Sequence, residues 1–221
     1  MIDIRSLSIT DMQWHAGRLW LASADRSVVA TYDPVSDLCE EVLSLPGVRH
    51  ACPSSEGVWL IAGGGRLGQQ LLLWSPETNR LVRRFDCPDG AASGATVLNG
   101  KLWLTHRRNR KLFCLDPESG RNLWTIPMEH QVFSPTSYGD ELWCAECDPG
   151  PLGDWSDERQ AEYAFLSYDP AREQVVERIP VPFRPACMAL DGDRFWYAGE
   201  DETGLRVRLR GSLSPRKRTL D

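Results

Sequence analysis

A short apolar run with a tryptophan near its centre recurs five times along the chain. It reads GRLWLA around Trp20, EGVWLIA around Trp59, GKLWLT around Trp103, GDELWCA around Trp143 and GDRFWYA around Trp196. A strand with one face in solvent alternates apolar and polar residues, whereas these runs carry apolar bulk at successive positions. They therefore predict short strands that are buried on both faces.

A second phrase, built on Asp-Pro or Ser-Pro, follows four of the five runs. YDPVSD begins at Tyr32, WSPETN at Trp74, LDPESG at Leu115 and YDPARE at Tyr168. Proline presets the backbone of a type I turn, and an Asp side chain before it can bond to the backbone ahead. Each unit is thus predicted to contain four strands. The tryptophan run forms the second strand, and the proline turn joins the third to the fourth.

The spacing of the repeat selects the architecture. Successive tryptophans of the repeat lie 39, 44, 40 and 53 residues apart, and four-stranded units of about 40 to 50 residues are typical of β-propeller blades. We expect an all-β fold, with a single five-bladed β-propeller of four-stranded antiparallel blades at 1–211 and a flexible basic tail at 212–221. Since the last unit lacks the proline turn, the N-terminal strand is expected to complete and close blade five. A β-sandwich is the alternative, but it does not explain the fixed order of the two phrases.

The combination of LWL with a following YDP resembles small bacterial propellers of the quinoprotein-like, YVTN and Vgb-like kind, over about residues 1–210. The resemblance implies the scaffold only, because binding proteins, lyases, cyclotransferases and dehydrogenases share it. Five short blades are small for a quinone cofactor, so no cofactor is expected.

Composition narrows the possible partners. A net charge of −6 over 221 residues argues against a nucleic acid or an anionic membrane surface. The chain start lacks the features of an export signal, and the seven cysteines lie mostly within apolar runs, which favours buried thiols in a cytoplasmic protein. Cys144 and Cys147 have the spacing of metal ligands, but residues three apart on a strand face opposite sides. No metal site is expected.

Candidate chemistry lies where the first strand of each blade begins and in the loops between second and third strands. We expect His50 or Glu146 to act as the acid/base group. The expected substrate contacts are Arg49, Arg107, Arg184, Phe133 and Trp155. Guanidinium groups match carboxylates and phosphates. Asp11, His130, Gln131 and Ser134 belong to the same set of strand entrances.

Each of these assignments has a structural alternative. His50 could be a hydrogen-bonded channel residue, Arg184 an ion-pair partner, and the His106–Lys111 loop a solvated cationic turn. The loop of blade four is unusually long, because 26 residues separate its Trp143 from the Asp of its turn, against 13 in blades one and three. It predicts a lid at 147–163 that carries Trp155; a decorated surface loop is the alternative.

The sequence therefore predicts a propeller that binds a small anionic or polar molecule in a central funnel. It could catalyse a non-redox lyase, cyclase or isomerase step there. His50 and Arg184 hold equivalent positions in blades two and five and are expected to face each other across the channel. The alternative is a non-catalytic scaffold that binds a protein or a glycan.

Overall fold

The strands form five antiparallel sheets, one for each predicted blade. The computed structural model describes residues 2–64, 68–149, 161–199 and 205–209. Blade one comprises β1 (Ile9–His15), β2 (Arg18–Ser23), β3 (Val28–Asp33) and β4 (Leu38–Ser44), and blade two comprises β5 (Val48–Ser54), β6 (Gly57–Gly63), β7 (Gln69–Ser75) and β8 (Arg80–Asp86). Blade three comprises β9 (Ala95–Leu98), β10 (Lys101–His106), β11 (Lys111–Leu115) and β12 (Asn122–Pro127). Blade four comprises β13 (Gln131–Tyr138), β14 (Glu141–Asp148), β15 (Glu162–Asp169) and β16 (Gln174–Val181), and blade five comprises β17 (Pro185–Asp191), β18 (Arg194–Gly199) and β19 (Arg206–Leu209).

The first strands of the five sheets stand around a central channel. Strand β1 lies beside both β5 and β17, so the ring is closed between blades five and one. The predicted five-bladed β-propeller is confirmed. We call the end of the channel where the first strands begin the entrance end. The opposite end, where hairpin turns lead to the second strands, is the exit end.

The core consists of five apolar clusters, one at each interface between neighbouring blades. In the run GRLWLA, Leu19 and Leu21 pack toward blade five, whereas Trp20 packs toward blade two. In the next blade Trp59 packs toward blade three. Alternate residues of one strand thus fill two different interfaces, which explains why the run has apolar bulk on both faces.

The proline turns have the predicted side-chain bonds. Asp33 Oδ1 accepts hydrogen bonds from the backbone N–H of Val35 at 2.8 Å, and Asp116 Oδ1 does the same from Glu118 at 2.8 Å. These backbone bonds lower the pKa of both carboxyls. The turns are therefore set by local chemistry that the sequence carries.

The N-terminal segment differs from the expectation. Within the described residues the sheet of blade five has three strands, and none comes from the N-terminus. Residues Ile4–Ser6 form one 3-10 turn, which Asp3 caps by accepting a hydrogen bond from the Arg5 backbone. The backbone of Ile2 donates to the Cys39 carbonyl in blade one at 2.9 Å. The side chains of Ile2 and Ile4 pack against the cluster between blades five and one. The segment thus covers this seam by apolar packing instead of strand pairing, because the Asp3 cap favours a turn over an extended backbone.

The boundary of the propeller at residue 211 and the basic tail at 212–221 lie outside the described residues and stay predictions. The predicted loop 147–163 starts later and ends earlier than expected. Cys147 pairs with Tyr163 and Asp148 with Glu162, so β14 and β15 extend into it. The connection is 149–161, of which 150–160, with Trp155, lies outside the described residues.

Candidate functional site

Asp11, near the start of β1, lies in the wall of the channel at its entrance end. Its side chain is completely buried. The Ala51 backbone N–H donates to Oδ2 at 3.1 Å, and Ser134 Oγ lies 3.4 Å from Oδ1. Burial raises the pKa of this carboxyl, and the neighbouring His50 opposes the shift. The channel wall thus contains an acid whose burial is energetically unfavourable.

His50, on β5, lies between Asp11 and the solvent of the entrance end. Its Nδ1 is 3.7 Å from Asp11 Oδ1, and 12% of the side chain is exposed. That separation exceeds a hydrogen bond, and Nδ1 has no hydrogen-bond partner among the described residues. A carboxylate this near can orient an imidazole. The pair is therefore suited to proton transfer.

Ser134 links this pair to blades four and five. Its Oγ accepts a hydrogen bond from the Met188 backbone N–H at 3.0 Å, and Met188 O lies 3.3 Å away. Its single hydroxyl proton is directed either to that carbonyl or to Asp11. Through Ser134 and Ala51, Asp11 joins blade one to blades two, four and five.

Arg107 and Phe133, both predicted contacts, lie together at the rim of the entrance end. The guanidinium carbon of Arg107 is 4.5 Å from the centre of the Phe133 ring. Its Nε donates to Gln131 Oε1 at 3.0 Å, and its backbone N–H donates to Ser93 Oγ at 3.0 Å. A ring face and an amide thus fix the orientation of this arginine.

Glu146 belongs to a separate ion-pair cluster. Arg178 holds both of its oxygens, with Nε 2.8 Å from Oε2 and Nη2 3.0 Å from Oε1. His130 Nδ1 lies 3.1 Å from Oε1. Because two partners occupy this carboxylate, Glu146 is less suited than Asp11 to act on a ligand. Arg178 was not among the predicted site residues; it lies on β16, the outer strand of blade four, and its side chain is 39% exposed.

The remaining predicted residues, Arg49 and Arg184, lie near the entrance end. Arg49 is exposed, and its carbonyl accepts a hydrogen bond of 2.8 Å from Thr10 Oγ1 of blade one. Arg184 is half-buried directly before β17. Their roles as ligand contacts, like those of His50 and Glu146 as acid/base groups, stay predictions.

The cysteines behave as core residues. All seven are buried, and none of them forms a disulfide. Cys144 packs between blades three and four and Cys147 between blades four and five, on opposite faces of β14. Within the described residues there is no cluster of three or more His, Cys, Asp or Glu that could hold a metal ion. No helix in that part of the chain is long and apolar enough to cross a membrane.

A cavity of about 180 Å³ lies at the other end of the channel. Its lining includes Gln13, Cys52, Thr96 and Ser137 from the first strands of blades one to four. Gln13, a polar residue between Met12 and Trp14 in the buried part of β1, is the signal in the sequence that could have indicated this cavity.

Several solved structures share this fold. The glutaminyl cyclase of Myxococcus xanthus superposes with a TM-score of 0.63 and 12% identity, covering 93% of this chain and 92% of that one. A Bacteroides caccae protein of unknown function gives a TM-score of 0.57 at 10% identity, covering 88% and 71%. The computationally designed Ika8 protein gives 0.52 at 11% identity, covering 91% of this chain, which spans 58% of the designed chain.

Sequence comparison adds no family. No protein-family model matches the chain, and no curated protein sequence matches it. At these identities the structural likeness establishes the fold alone. Together with the described geometry, the comparisons support a five-bladed β-propeller of the shape that a glutaminyl cyclase also has.

Proposed function

We propose that the protein binds a small anionic or polar molecule at the entrance end of its channel, and that His50, oriented by Asp11, transfers a proton in a non-redox step. The observation that carries this proposal is the contrast in burial across the pair. Asp11 is completely buried, whereas His50, 3.7 Å away, retains 12% exposure. A molecule that enters from this end meets the imidazole first, with the carboxylate behind it.

The unfavourable burial of Asp11 supports its proposed role beside His50. Burying a carboxyl destabilises the fold unless its charge is compensated. Perturbed acids that line a cleft beside a proton-transfer group cluster at functional sites. A role in joining blades alone would not require a carboxyl, since an amide could accept the bond from Ala51 with its oxygen and donate one to Ser134 Oγ with its nitrogen.

The charge around the entrance supports a ligand with a negative or strongly polar group. Arg107 is held at the rim by Gln131 and Phe133. Arg49 is exposed and Arg184 half-buried near the same end. A ligand held by an arginine at one end and facing His50 at the other would be positioned for reaction.

Cyclisation is the first reaction to test, because a glutaminyl cyclase shares the fold over nearly the whole chain. When the amine of a glutaminyl compound attacks its own carboxamide, a new C–N bond forms and ammonia leaves. The attacking amine loses one proton and the departing nitrogen gains one. One imidazole can carry out both transfers, so the step needs neither metal nor oxidant.

The test combines a ligand screen with turnover. Organic acids, amino acids, nucleotides and glutaminyl compounds are screened by thermal shift, and ammonia release is measured for the last group. A ligand at about 100 times its Kd adds about 2.7 kcal/mol, which raises Tm by about 5–11 °C in a domain of this size. His50→Gln should bind each hit but lose turnover. Arg184→Lys should weaken binding because it keeps the charge but loses the bidentate fork.

Two results would contradict the proposal. One is a screen without hits. The other is a set of hits whose affinity and turnover are the same in both variants and in the wild-type protein.

The non-catalytic scaffold is the second candidate, and exposed apolar residues on the outer strands favour it. Leu81 and Val82 of β8 are 53% and 56% exposed, and Trp124 of β12 is 54% exposed. Scattered exposed apolar residues are common on monomers, so this support is weaker than that of the channel pair. The scaffold function predicts no small-molecule hit and the loss of a protein partner on Trp124→Ser.

A further inference from the structure

We propose that the exit-end cavity is a second binding site, and that it accepts a small neutral polyhydroxylated ring, that is, a monosaccharide. It is separate from the entrance-end pair, and it does not depend on the function proposed there. The lining of the cavity supports this site, because among the described residues it combines neutral hydrogen-bonding groups with an indole and contains no carboxylate, lysine or arginine.

The charge of the lining excludes an ionic ligand. Within the described part of the chain, no Asp, Glu, Lys or Arg lines the cavity, and His15 is its one side chain that can carry a charge near neutral pH. Burial raises the pKa of the Cys52 thiol to about 12, so this group is a neutral thiol as well. An ionic ligand would lose its hydration here without gaining a partner of opposite charge. The site therefore favours a neutral ligand.

The side chain of Gln13 offers a hydrogen-bond acceptor at the cavity. Its side chain is 3% exposed. Its Nε2 donates to Ala95 O at 3.3 Å and to Pro135 O at 2.5 Å. Two carbonyls around one end of the amide identify that end as the nitrogen. No described residue donates a hydrogen bond to Oε1, so this oxygen is an acceptor that still lacks a donor.

Hydroxyl groups add to this acceptor. Ser55 and Ser137 line the cavity, and neither hydroxyl has a hydrogen-bond partner among the described residues. A hydroxyl can donate one hydrogen bond and accept two. A ligand with several hydroxyls on adjacent carbons could satisfy these groups and the Gln13 oxygen together.

Trp14 supplies the apolar side of the site. It lines the cavity and is stacked on Trp196 behind it, with ring centres 6.2 Å apart and planes at 9°. The stacking holds the indole in one orientation. A sugar ring has a face of C–H groups that packs on an aromatic ring, while its hydroxyls lie around the edge. Neutral hydroxyls beside a fixed indole match that chemistry.

The volume of the exit-end cavity is consistent with a single small sugar ring. The cavity volume of about 180 Å³ is below the roughly 300–1,000 Å³ of pockets that hold drug-sized ligands. It suits a single ring better than an oligosaccharide lying fully inside.

The test uses the full chain labelled with 5-fluorotryptophan and followed by ¹⁹F NMR. The nine tryptophans give separate signals, and Trp14→Phe and Trp124→Phe assign two of them. Neutral monosaccharides and N-acetylated sugars are titrated beside charged relatives such as gluconate and glucosamine. We expect the Trp14 signal to move saturably with a neutral sugar, while the signal of Trp124, exposed on the outer strand of blade three, stays fixed.

Two serine variants separate binding from folding. Ser137→Ala removes a lining hydroxyl and should raise the Kd about fivefold, the equivalent of one net hydrogen bond. Ser8→Ala, an exposed serine before β1, is the matched control and should leave the Kd unchanged.

The proposal is overturned by any of three results. The first is that no neutral sugar moves the Trp14 signal even near its solubility limit, which would leave a cavity filled by water. The second is that only charged compounds move this signal. The third is that Ser137→Ala binds the sugar as tightly as Ser8→Ala. A failed ligand screen at the entrance end would not affect this test, since its signal comes from the opposite end of the channel.

Discussion

Replacing Ser134 by Ala removes the hydroxyl that connects blade one to blade five at the axis. Ser134 is 1% exposed, and Met188, whose backbone N–H donates to it at 3.0 Å, is completely buried. In the variant this N–H has no partner. Asp11 also loses the hydroxyl that lies 3.4 Å from its Oδ1. We therefore expect a large loss of stability from a change of one oxygen atom.

The magnitude follows from the two lost contacts. An unsatisfied buried backbone donor costs about 1–3 kcal/mol, and a neutral hydrogen bond contributes about 0.5–1.5 kcal/mol. The contacts share one atom and do not add fully, so we expect a loss of about 2–4 kcal/mol. In a domain of this size the loss corresponds to a fall in Tm of about 4–16 °C.

Urea denaturation of Ser134→Ala measures this loss, with Ser137→Ala as the control. Ser137 lies three residues further along the same strand and has no hydrogen-bond partner among the described residues. Its replacement should change the free energy of unfolding by no more than about 0.5 kcal/mol. If the two variants unfold at the same urea concentration with equal slopes, Ser134 does not join the blades and the described network is wrong.

Three further changes test other parts of the fold. In Asp11→Asn, a group that cannot ionise replaces a carboxyl whose pKa is raised by burial from its ordinary 3.8. In the wild-type protein, the contribution of this carboxyl to stability is complete below pH 3.8 and is lost as pH rises through the pKa of the folded state. The stability of the variant relative to wild type should therefore increase in urea titrations as pH rises above 3.8, and a pH-independent difference would contradict the raised pKa. Gly94→Ala places a Cβ 2.2 Å from Pro135 Cδ at φ +142°, whereas Gly100→Ala at φ +67° meets nothing within 4 Å; we expect losses of about 2–6 and about 1 kcal/mol, and equal losses would refute the close approach. Deleting residues 2–6 should speed amide hydrogen exchange in β1 and β17, next to the uncovered seam, and uniform acceleration in all blades would contradict its role there.

The repeating parts of the fold were predictable because their physical causes are local. The composition of a run such as GRLWLA predicts that both faces of the strand are buried. An Asp-Pro turn carries the carboxylate that accepts hydrogen bonds from its own backbone. The N-terminal segment could not be predicted in the same way. The residues Ile2 and Ile4 suit a strand and a packed turn equally, and the choice depends on the Asp3 cap and on the seam that the closed ring provides.

The candidate site was predictable in part, since the repeat placed Asp11, His50 and Ser134 at strand entrances. Their connection was not predictable. Asp11 and Ser134 lie 123 residues apart, and they meet only because the ring brings β1 and β13 to the same channel. The occupation of Glu146 by Arg178 depends likewise on a contact across 32 residues. Such pairings follow from ring closure and blade twist, which composition does not encode.

The central claim is that a small molecule binds at the entrance end against His50. The most direct measurement is NMR of the protein labelled with ¹⁵N in its four histidines, with His50→Gln to assign the signal of interest. A compound that raises Tm in the screen should move the His50 ring nitrogens and leave His15, which lines the exit-end cavity, unchanged. If every stabilising compound leaves the His50 signals in place, the entrance-end pair is not the binding site and the proposed function is wrong.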